Sequence, residues 1–497
     1  MLDLGTIPLR RWVLTWLVGA IALVALSTVA AWAQQAPAKA PPDPAKLLQL
    51  LSAHAAMNSE IFYFWTLVVM WLIHCGFMTY ETGMSRRKNL MHTVMKNIGL
   101  IPVVTISMYF PGWWLYNAMV DGLVPRGTSD SLVAASIPWG PNMGPNLQDH
   151  LTGVFWGAFV LFSWTTASIM SGACIERIRQ GAFLVLAALL GSVVWIVDAA
   201  WGWHPNGWLT MKFGFHDAIA GLVVHGVAGA FTLGVLLNLG PRIGKFAPNG
   251  EPRTIPPHNL WMTLLGLFLI FTGFFGFYAA CLVFKIGPEE WAWGNIYGSP
   301  TTLSAIFLNY IMGWSGGAMG GYMFSQPKRD PFWYCSAALA GVISVSAGAD
   351  VYYPPLAFIV GFLGALIALW WSGFQERVLK IDDAVGAVPV HGAAGFWSAL
   401  AVGIFAAGYP TGANNVPTSL GGQLLGMAVF LPLGFVPGYV ASWLFKRANL
   451  LRIPEEIELT GQDTHVYGDQ YPYFPAAAEP AWAPIAGGSD APGTKLG

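Results

Sequence analysis

Two fifteen-residue stretches of this chain repeat one another, and each places a histidine among apolar and small residues. His216-Asp-Ala-Ile-Ala-Gly-Leu-Val-Val-His225-Gly-Val-Ala-Gly-Ala230 aligns without a gap to Asp382-Asp-Ala-Val-Gly-Ala-Val-Pro-Val-His391-Gly-Ala-Ala-Gly-Phe396. Seven of the fifteen positions are identical, including Asp217 with Asp383 and His225 with His391. Two imidazoles brought together in a dry site favour their neutral forms, because desolvation and a neighbouring ring both penalise protonation. A neutral pair sharing a hydrogen bond offers a donor and an acceptor to a small polar molecule without fixing a charge. Gly226, Gly229, Gly392 and Gly395 allow the helices carrying the rings to approach closely. The competing reading of each histidine is a structural hydrogen bond between helices, and repetition of the whole D-x7-H-G-x-A-G unit weighs against it.

The elements that must hold such a pair are apolar spans. Of 497 residues 55% are hydrophobic and only 10% charged, against about 25% charged in soluble domains. Stretches long enough to cross about 30 Å of hydrocarbon lie at roughly 60–83, 92–118, 151–172, 181–201, 217–239, 259–283, 300–324, 332–349, 354–374, 388–407 and 420–445. They are longer than barrel strands and apolar on all faces, so the expected fold is an all-α polytopic membrane protein with eleven transmembrane helices. The histidine repeats fall in the fifth and tenth spans. Five is odd, so the second copy enters the membrane inverted, and corresponding elements meet about a pseudo-two-fold axis at mid-membrane, where transporters place their substrate path. The expectation is an inverted five-helix repeat plus one extra helix, with a central pore in each subunit and His225 facing His391.

Arg10 and Arg11 precede an apolar run from Trp12 to about Val29, and Ala31-Trp32-Ala33 forms an A-x-A site. Residues 1–34 therefore read as a signal peptide, an uncleaved first helix being the alternative, and 35–59 as an extracytoplasmic segment, with 36–48 a short tether. With the N-terminus outside, the inner connections hold Arg86, Arg87, Lys88, Arg177, Arg179, Arg242, Lys245, Arg253, Lys328, Arg329, Arg377 and Lys380, and the outer ones only Arg126, Lys212 and Lys285. This twelve-to-three bias satisfies the positive-inside rule. The spans of 60–446 are then followed by a cytoplasmic tail, 447–497, whose last part from 472 reads as disordered. A net charge of -1 leaves no basic excess for nucleic acid. Cys75, Cys174, Cys281 and Cys335 lie singly in apolar runs, so neither a disulfide framework nor a metal site is indicated, and no cofactor is expected.

Beyond the repeat, Glu81, Gly83, Arg86, Lys88 and Asn89 form an E-x-G-x-x-R-x-K-N string. Ser171-Gly-Ala-Cys-Ile-Glu-Arg-Ile-Arg179 is similar to a G-A-x-A-E-R string, with Ile175 for Ala. His258-Asn-Leu precedes Gly273-Phe-Phe-Gly-Phe-Tyr278, and Leu451-Arg-Ile-Pro-Glu-Glu leads through Gly461-Gln-Asp to Gly468–Tyr471. In this order, over roughly residues 60–471, the set resembles the Amt/Mep/Rh family of ammonium transporters. The resemblance implies a non-enzymatic, eleven-helix subunit with its own pore, assembled as a homotrimer among membrane lipid. The expected location is the cytoplasmic (inner) membrane of a bacterium.

Carried over residue by residue, His225 and His391 match the pore histidines, Asp217 the acidic residue beneath the outer site, and Phe162 and Phe277 the stacked aromatic gate. The outer site, lined by Phe162, is completed in the family by a Trp and a Ser. Trp203 fits the Trp if two residues are inserted before Gly207-Trp208-Leu209, and Cys281 stands at the Ser position. Ala158 occupies the place of a second Phe, and Tyr278 that of a customary Asn. The route implied is recruitment of ammonium, with methylammonium as its analogue, then deprotonation and passage of ammonia along the histidine pair. Cation–π attraction worth about 0.5–2 kcal/mol can gather the cation, whereas a bare charge in low dielectric costs tens of kcal/mol. The resemblance also implies docking of a trimeric PII signalling protein on the inner face, for which Arg177, Arg179, Arg242 and Lys245 would leave a surface. Two other classes compete. One is an ammonium-sensing receptor with little flux. The other is an intramembrane serine protease using Ser315 of Gly313-Trp-Ser-Gly with His391, against which Gly316-Gly317-Ala-Met-Gly320-Gly321 reads as a packing face.

Overall fold

A computed structural model of the chain describes residues 9–35, 43–146, 149–284, 293–411 and 416–468. The expectations for most of the tether, for Lys285 and for the tail beyond Gly468 lie outside the described residues. The chain divides into two units, 1–55 and 56–497. Helix α1, Leu9–Gln35, lies in the first, as the apolar run expects.

The remaining long helices are α2 Pro44–Met84, α3 Arg87–Ala118, α4 Thr152–Ala173, α5 Gln180–Gly202, α6 Gly221–Leu239 and α7 Leu260–Ala280. They continue with α8 Leu303–Ser325, α9 Pro331–Ser346, α10 Pro354–Arg377, α11 Val388–Phe405 and α12 Leu420–Arg447. All eleven expected spans are helical. Among the described residues nine of these helices are long and apolar enough to cross a membrane. The other two are α8, diluted by a glycine face, and α9, with only 16 residues. Two short tail helices follow, α13 Glu455–Thr460 and α14 Gln462–Tyr467. Small antiparallel sheets occupy two loops, one of three strands with Val283 opposite Gly294 and Trp293 opposite Thr301, the other of two with Thr411 opposite Val416. The chain is a multi-pass membrane protein of inverted-repeat helical fold. Large apolar side chains such as Trp261, Trp370 and Phe110 point outward, as a lipid-facing surface allows.

The helices are less regular than uniform apolar runs suggest. Four π-turns interrupt them, at Met108–Gly112, Leu190–Val194, Gly221–Gly226 and Val388–Ala393. Two contain a proline, Pro111 and Pro389, which has no N–H for the regular ladder. The other two are unmarked by proline. The last two π-turns contain the repeated histidines, and each lies against the partner helix: the first turn of α6 packs on α11, and that of α11 on α6. Contact is backbone to backbone. A Cβ on Gly229 would overlap the Cα and N of Gly392, and one on Gly395 would meet the amide of Gly226 at 2.6 Å. The Gly313–Gly321 stripe of α8 likewise lies on α9 and α10, where a Cβ on Gly317 would come within 2.6 Å of the Ala337 carbonyl. Ser315 Oγ donates to the Ile311 carbonyl of its own helix at 2.7 Å.

The motif strings at the ends of α2 and α4 converge with the connections after α6 and α10 in a charged layer. Arg86 donates to Glu176 through its amide at 2.6 Å and Nε at 2.7 Å, joining the α2 and α4 motifs. Arg242 grips Asp382 with Nε at 2.8 Å, an Nη at 3.0 Å and its amide at 2.9 Å. Burial by itself would raise the Asp382 pKa, but the Arg242 and Arg177 charges outweigh it and hold the carboxyl well below the usual carboxylate range. The tail seals this layer: Arg452 bridges Glu458 at 2.7 Å and the Leu239 and Pro241 carbonyls, and Asp463 accepts from the Met91 and His92 amides at 2.8 Å each. One expectation is corrected here. Arg177 and Arg242 are buried, Lys245 pairs with Glu376, and Arg179 donates to the Arg452 carbonyl, so these residues do not leave a free basic surface for a docking protein. Their charges are needed inside to neutralise Asp382 and Glu176 and to hold the tail.

Two outcomes follow from this packing. Asp382→Asn leaves buried guanidinium groups without their counter-charge, which costs about 3–5 kcal/mol, so the unfolding midpoint in detergent at pH 7 should fall markedly. Because the folded carboxyl is depressed, its contribution is full above the ordinary carboxylate range and is lost progressively as pH falls from that range toward the folded value. The wild-type advantage should therefore hold at neutral pH and narrow progressively as pH falls below the ordinary carboxylate range. Gly229→Val should abolish a monodisperse folded species in size-exclusion chromatography, since the opposing atoms are backbone. Gly421→Ala, where a Cβ meets nothing within 4 Å, should be tolerated.

Candidate functional site

The site grows from the starts of α6 and α11. Asp217 precedes α6 and accepts hydrogen bonds from the Gly221, Leu222 and Val223 amides at 2.7, 2.8 and 2.9 Å. Asp383 does the equivalent before α11, accepting from the Val388 amide at 2.7 Å. Each carboxylate satisfies first-turn donors that have no intrahelical acceptor. Four residues after Gly221 and three after Val388, the π-turns present His225 and His391. Their Nδ1 atoms are 3.0 Å apart and their ring planes 25° from parallel. That contact requires one ring to donate and the other to accept. Both rings are buried, and His225 Nε2 has no hydrogen-bond partner. The rings are walled by Phe274 and Phe277, whose centroids lie 5.8 and 5.6 Å from that of His225.

Next to Phe277 stands Phe162 of α4, with ring centroids 4.6 Å apart at 77°. The two meet edge to face instead of stacking, the arrangement that sets a positive ring edge on a negative ring face. Trp203 lies 5.2 Å beyond Phe162 and donates through Nε1 to the Asp217 carbonyl at 2.8 Å, which fixes the indole over the start of α6. Trp208 is elsewhere, against Trp201 and Phe213. Cys281 is buried one turn after Phe277, and its thiol donates to the Phe277 carbonyl at 3.2 Å. Tyr278 turns away from the pair, and its hydroxyl meets the Val342 carbonyl and Ser346 Oγ at 2.8 and 2.9 Å.

Phe162, Phe277, Trp203, His225 and His391 thus form one continuous buried series of rings. Asp217 joins it through the backbone of the α6 cap, and Cys281 borders it from the end of α7. Beyond the sequence expectations the series takes in Phe274, already placed against His225, and also Phe159 and Trp195. Phe159 packs on Phe162 and Trp203, at 5.9 Å each, and Trp195 lies 6.4 Å from Phe162. The spacing Phe155, Phe159, Phe162 is helical, and so is Trp195 to Trp203; reading those stripes together would have found them. Ala158 is buried beside this cluster, and Phe159 supplies a second ring from the next position. Among the described residues no group of His, Cys, Asp or Glu is arranged to hold a metal ion.

Comparison with known proteins places this geometry. The sequence model described as the Ammonium Transporter Family matches residues 61–471. The chain is 30% identical over 422 residues to ammonium transporter Amt2 of Haloferax mediterranei, covering 82% of this chain and 90% of that protein. It is 29% identical over 430 residues to ammonium transporter Amt2 of Archaeoglobus fulgidus, covering 81% and 86%. Among solved structures, a sensor Amt protein superposes with a TM-score of 0.71 at 24% identity over 83% of this chain and 99% of that one. Candida albicans Mep2 does so with a TM-score of 0.64 at 21% identity, over 80% and 86%. Those two likenesses concern the fold, and the match over 61–471 carries the assignment: the chain belongs to the Ammonium Transporter Family.

Proposed function

We propose that the chain carries ammonium across the cytoplasmic membrane by gathering the cation at the aromatic cluster, stripping its proton and passing ammonia along the histidine pair. The observation that carries this reading is the 3.0 Å contact between His225 and His391 Nδ1 atoms, buried between two glycine-packed half-helices. Phe162 and Trp203 present ring faces to a cation, an attraction of about 0.5–2 kcal/mol each. A helix N-terminus would repel that cation with about half a positive charge; Asp217 cancels it at the α6 end. Cys281, beside Phe277, lines the same region. Phe162 and Phe277 close the passage against water, so an ammonium that reaches the histidine pair meets a desolvation cost of tens of kcal/mol unless it gives up its proton to the pair there, and only ammonia goes on.

The accompanying assignments belong to the same reading: an N-terminus outside after a signal peptide, a cytoplasmic tail, a homotrimer and a bacterial inner membrane. Docking of a PII protein on the inner face would have to use groups other than the buried Arg177 and Arg242.

Purified protein in proteoliposomes should take up ammonium. His225→Ala and His391→Ala should each lower uptake at least tenfold while the variants elute as folded assemblies. Wild-type uptake in both variants, or a wild-type protein that binds ammonium without flux, would contradict the reading, and the latter would make the chain a receptor.

A further inference from the structure

On the inner side of His391 lies a small enclosed cavity of about 20 Å³, lined by His391, Glu81, Tyr80, Ser168, Ser336 and Gly172 among others. A water needs about 10–15 Å³ by that measure, with two to four polar partners, so the space suits one water. Gly172 keeps it open: a Cβ there would reach the Val385 side chain at 2.6 Å and Glu81 Cγ at 3.5 Å.

Glu81, in the last turn of α2, is fully buried, and its two oxygens are treated unequally. Oε2 accepts from Asn97 at 2.9 Å and Ser171 Oγ at 2.7 Å, and lies 3.4 Å from Lys96 Nζ. Oε1 has no partner. Ser336, whose hydroxyl lies beside that of Tyr80, is another polar group on this wall. A carboxylate buried only to hold two helices together would be expected to satisfy both oxygens, since each orphaned acceptor costs about 1–3 kcal/mol. An orphaned carboxylate oxygen and a serine hydroxyl with acceptor capacity to spare, on the wall of one water-sized cavity, point to what fills it. Lys96, held by the Ser171 carbonyl at 2.7 Å, keeps the local charge balanced while Glu81 is ionised.

We propose that Glu81 is the proton acceptor on the inner side of the histidine pair, reached from His391 through one water in this cavity. The proposal rests on the ammonium route given above and assigns the fate of its proton. An N–H bond of ammonium breaks as its hydrogen bonds to an imidazole nitrogen of the pair, and ammonia departs with the electron pair. His391 gives a proton to the water oxygen as that water gives one of its own to Glu81 Oε1. Glu81 is then a neutral acid beside a charged Lys96, near the inner end of α2, until it loses the proton to the cytoplasmic side. Net transport then moves one charge for each ammonia delivered.

The test compares wild type with E81Q in proteoliposomes, measuring ammonium-evoked current on a solid-supported membrane and ammonia entry by internal alkalinisation. The expected result is at least a tenfold fall in charge moved per ammonia delivered in E81Q. An unchanged ratio in an assembled E81Q overturns the proposal, whether both fluxes persist or fall in parallel. Should E81Q fail to assemble, S336A removes a partner of the water without touching the ion pair. It should lower the ratio severalfold, and an unchanged ratio there overturns the proposal. A wild-type protein that moves neither charge nor ammonia contradicts the transport reading itself, and this assignment with it. Wild-type transport indifferent to Glu81 removes only this one.

Discussion

The hydrogen bonds that Asp217 and Asp383 accept from the first amides of α6 and α11 are the constraint on which the rest of the structure depends. A helix that starts inside a membrane exposes donors that lipid cannot satisfy. Capping by a carboxylate lets each half-helix begin at depth, and beginning there lets a π-turn set the histidine into the middle of the bundle. On the proposed route the same capping removes the positive helix end from the path of a cation. One residue type at one repeated position therefore solves a backbone problem and an electrostatic one. Glycine completes the arrangement, because the two half-helices touch through Gly229 and Gly392 without intervening side chains.

The inverted repeat makes the two capped starts equivalent but not identical. The residue before each cap differs: His216 pairs with Asp350 at 3.0 Å on one side, whereas Asp382 takes Arg242 on the other. The second side belongs to the charged layer into which the tail is bound through Arg452, Glu458 and Asp463. The tail is thus a structural part of the layer that holds α11 in place, and the histidine on α11 is mechanically connected to it through Asp382 and Asp383.

Much of this was legible in the sequence, and the reasons are physical. Eleven apolar runs, a repeat at an odd helix interval and a charge bias across connections are properties of a chain that must span lipid, so the helices and the meeting of His225 with His391 could be anticipated. Phe162, Phe277 and Trp203 could be named because they match the family pattern, Trp203 once two residues are inserted before Gly207-Trp208-Leu209. The π-turns were hidden, since Gly221–Gly226 carries no proline and a widened turn depends on what packs against it. The orphaned oxygen of Glu81 was hidden for the same reason: a motif glutamate is visible in one dimension, but the unequal treatment of its two oxygens is set by α3, α4 and α9. Arg177 and Arg242 were misjudged as surface, because a positive-inside count cannot distinguish a solvated arginine from one buried against a distant aspartate.

The central claim is that His225 and His391 form a neutral, hydrogen-bonded pair that ammonium reaches. Nitrogen-15 NMR of histidine-labelled protein in lipid bilayers, with each ring assigned by single substitution, examines it directly. The account predicts two neutral rings at pH 7, one Nδ1–H bonded to the other Nδ1, with signals that respond to ammonium but not to potassium. An imidazolium at either position, or a pair indifferent to ammonium, would contradict it.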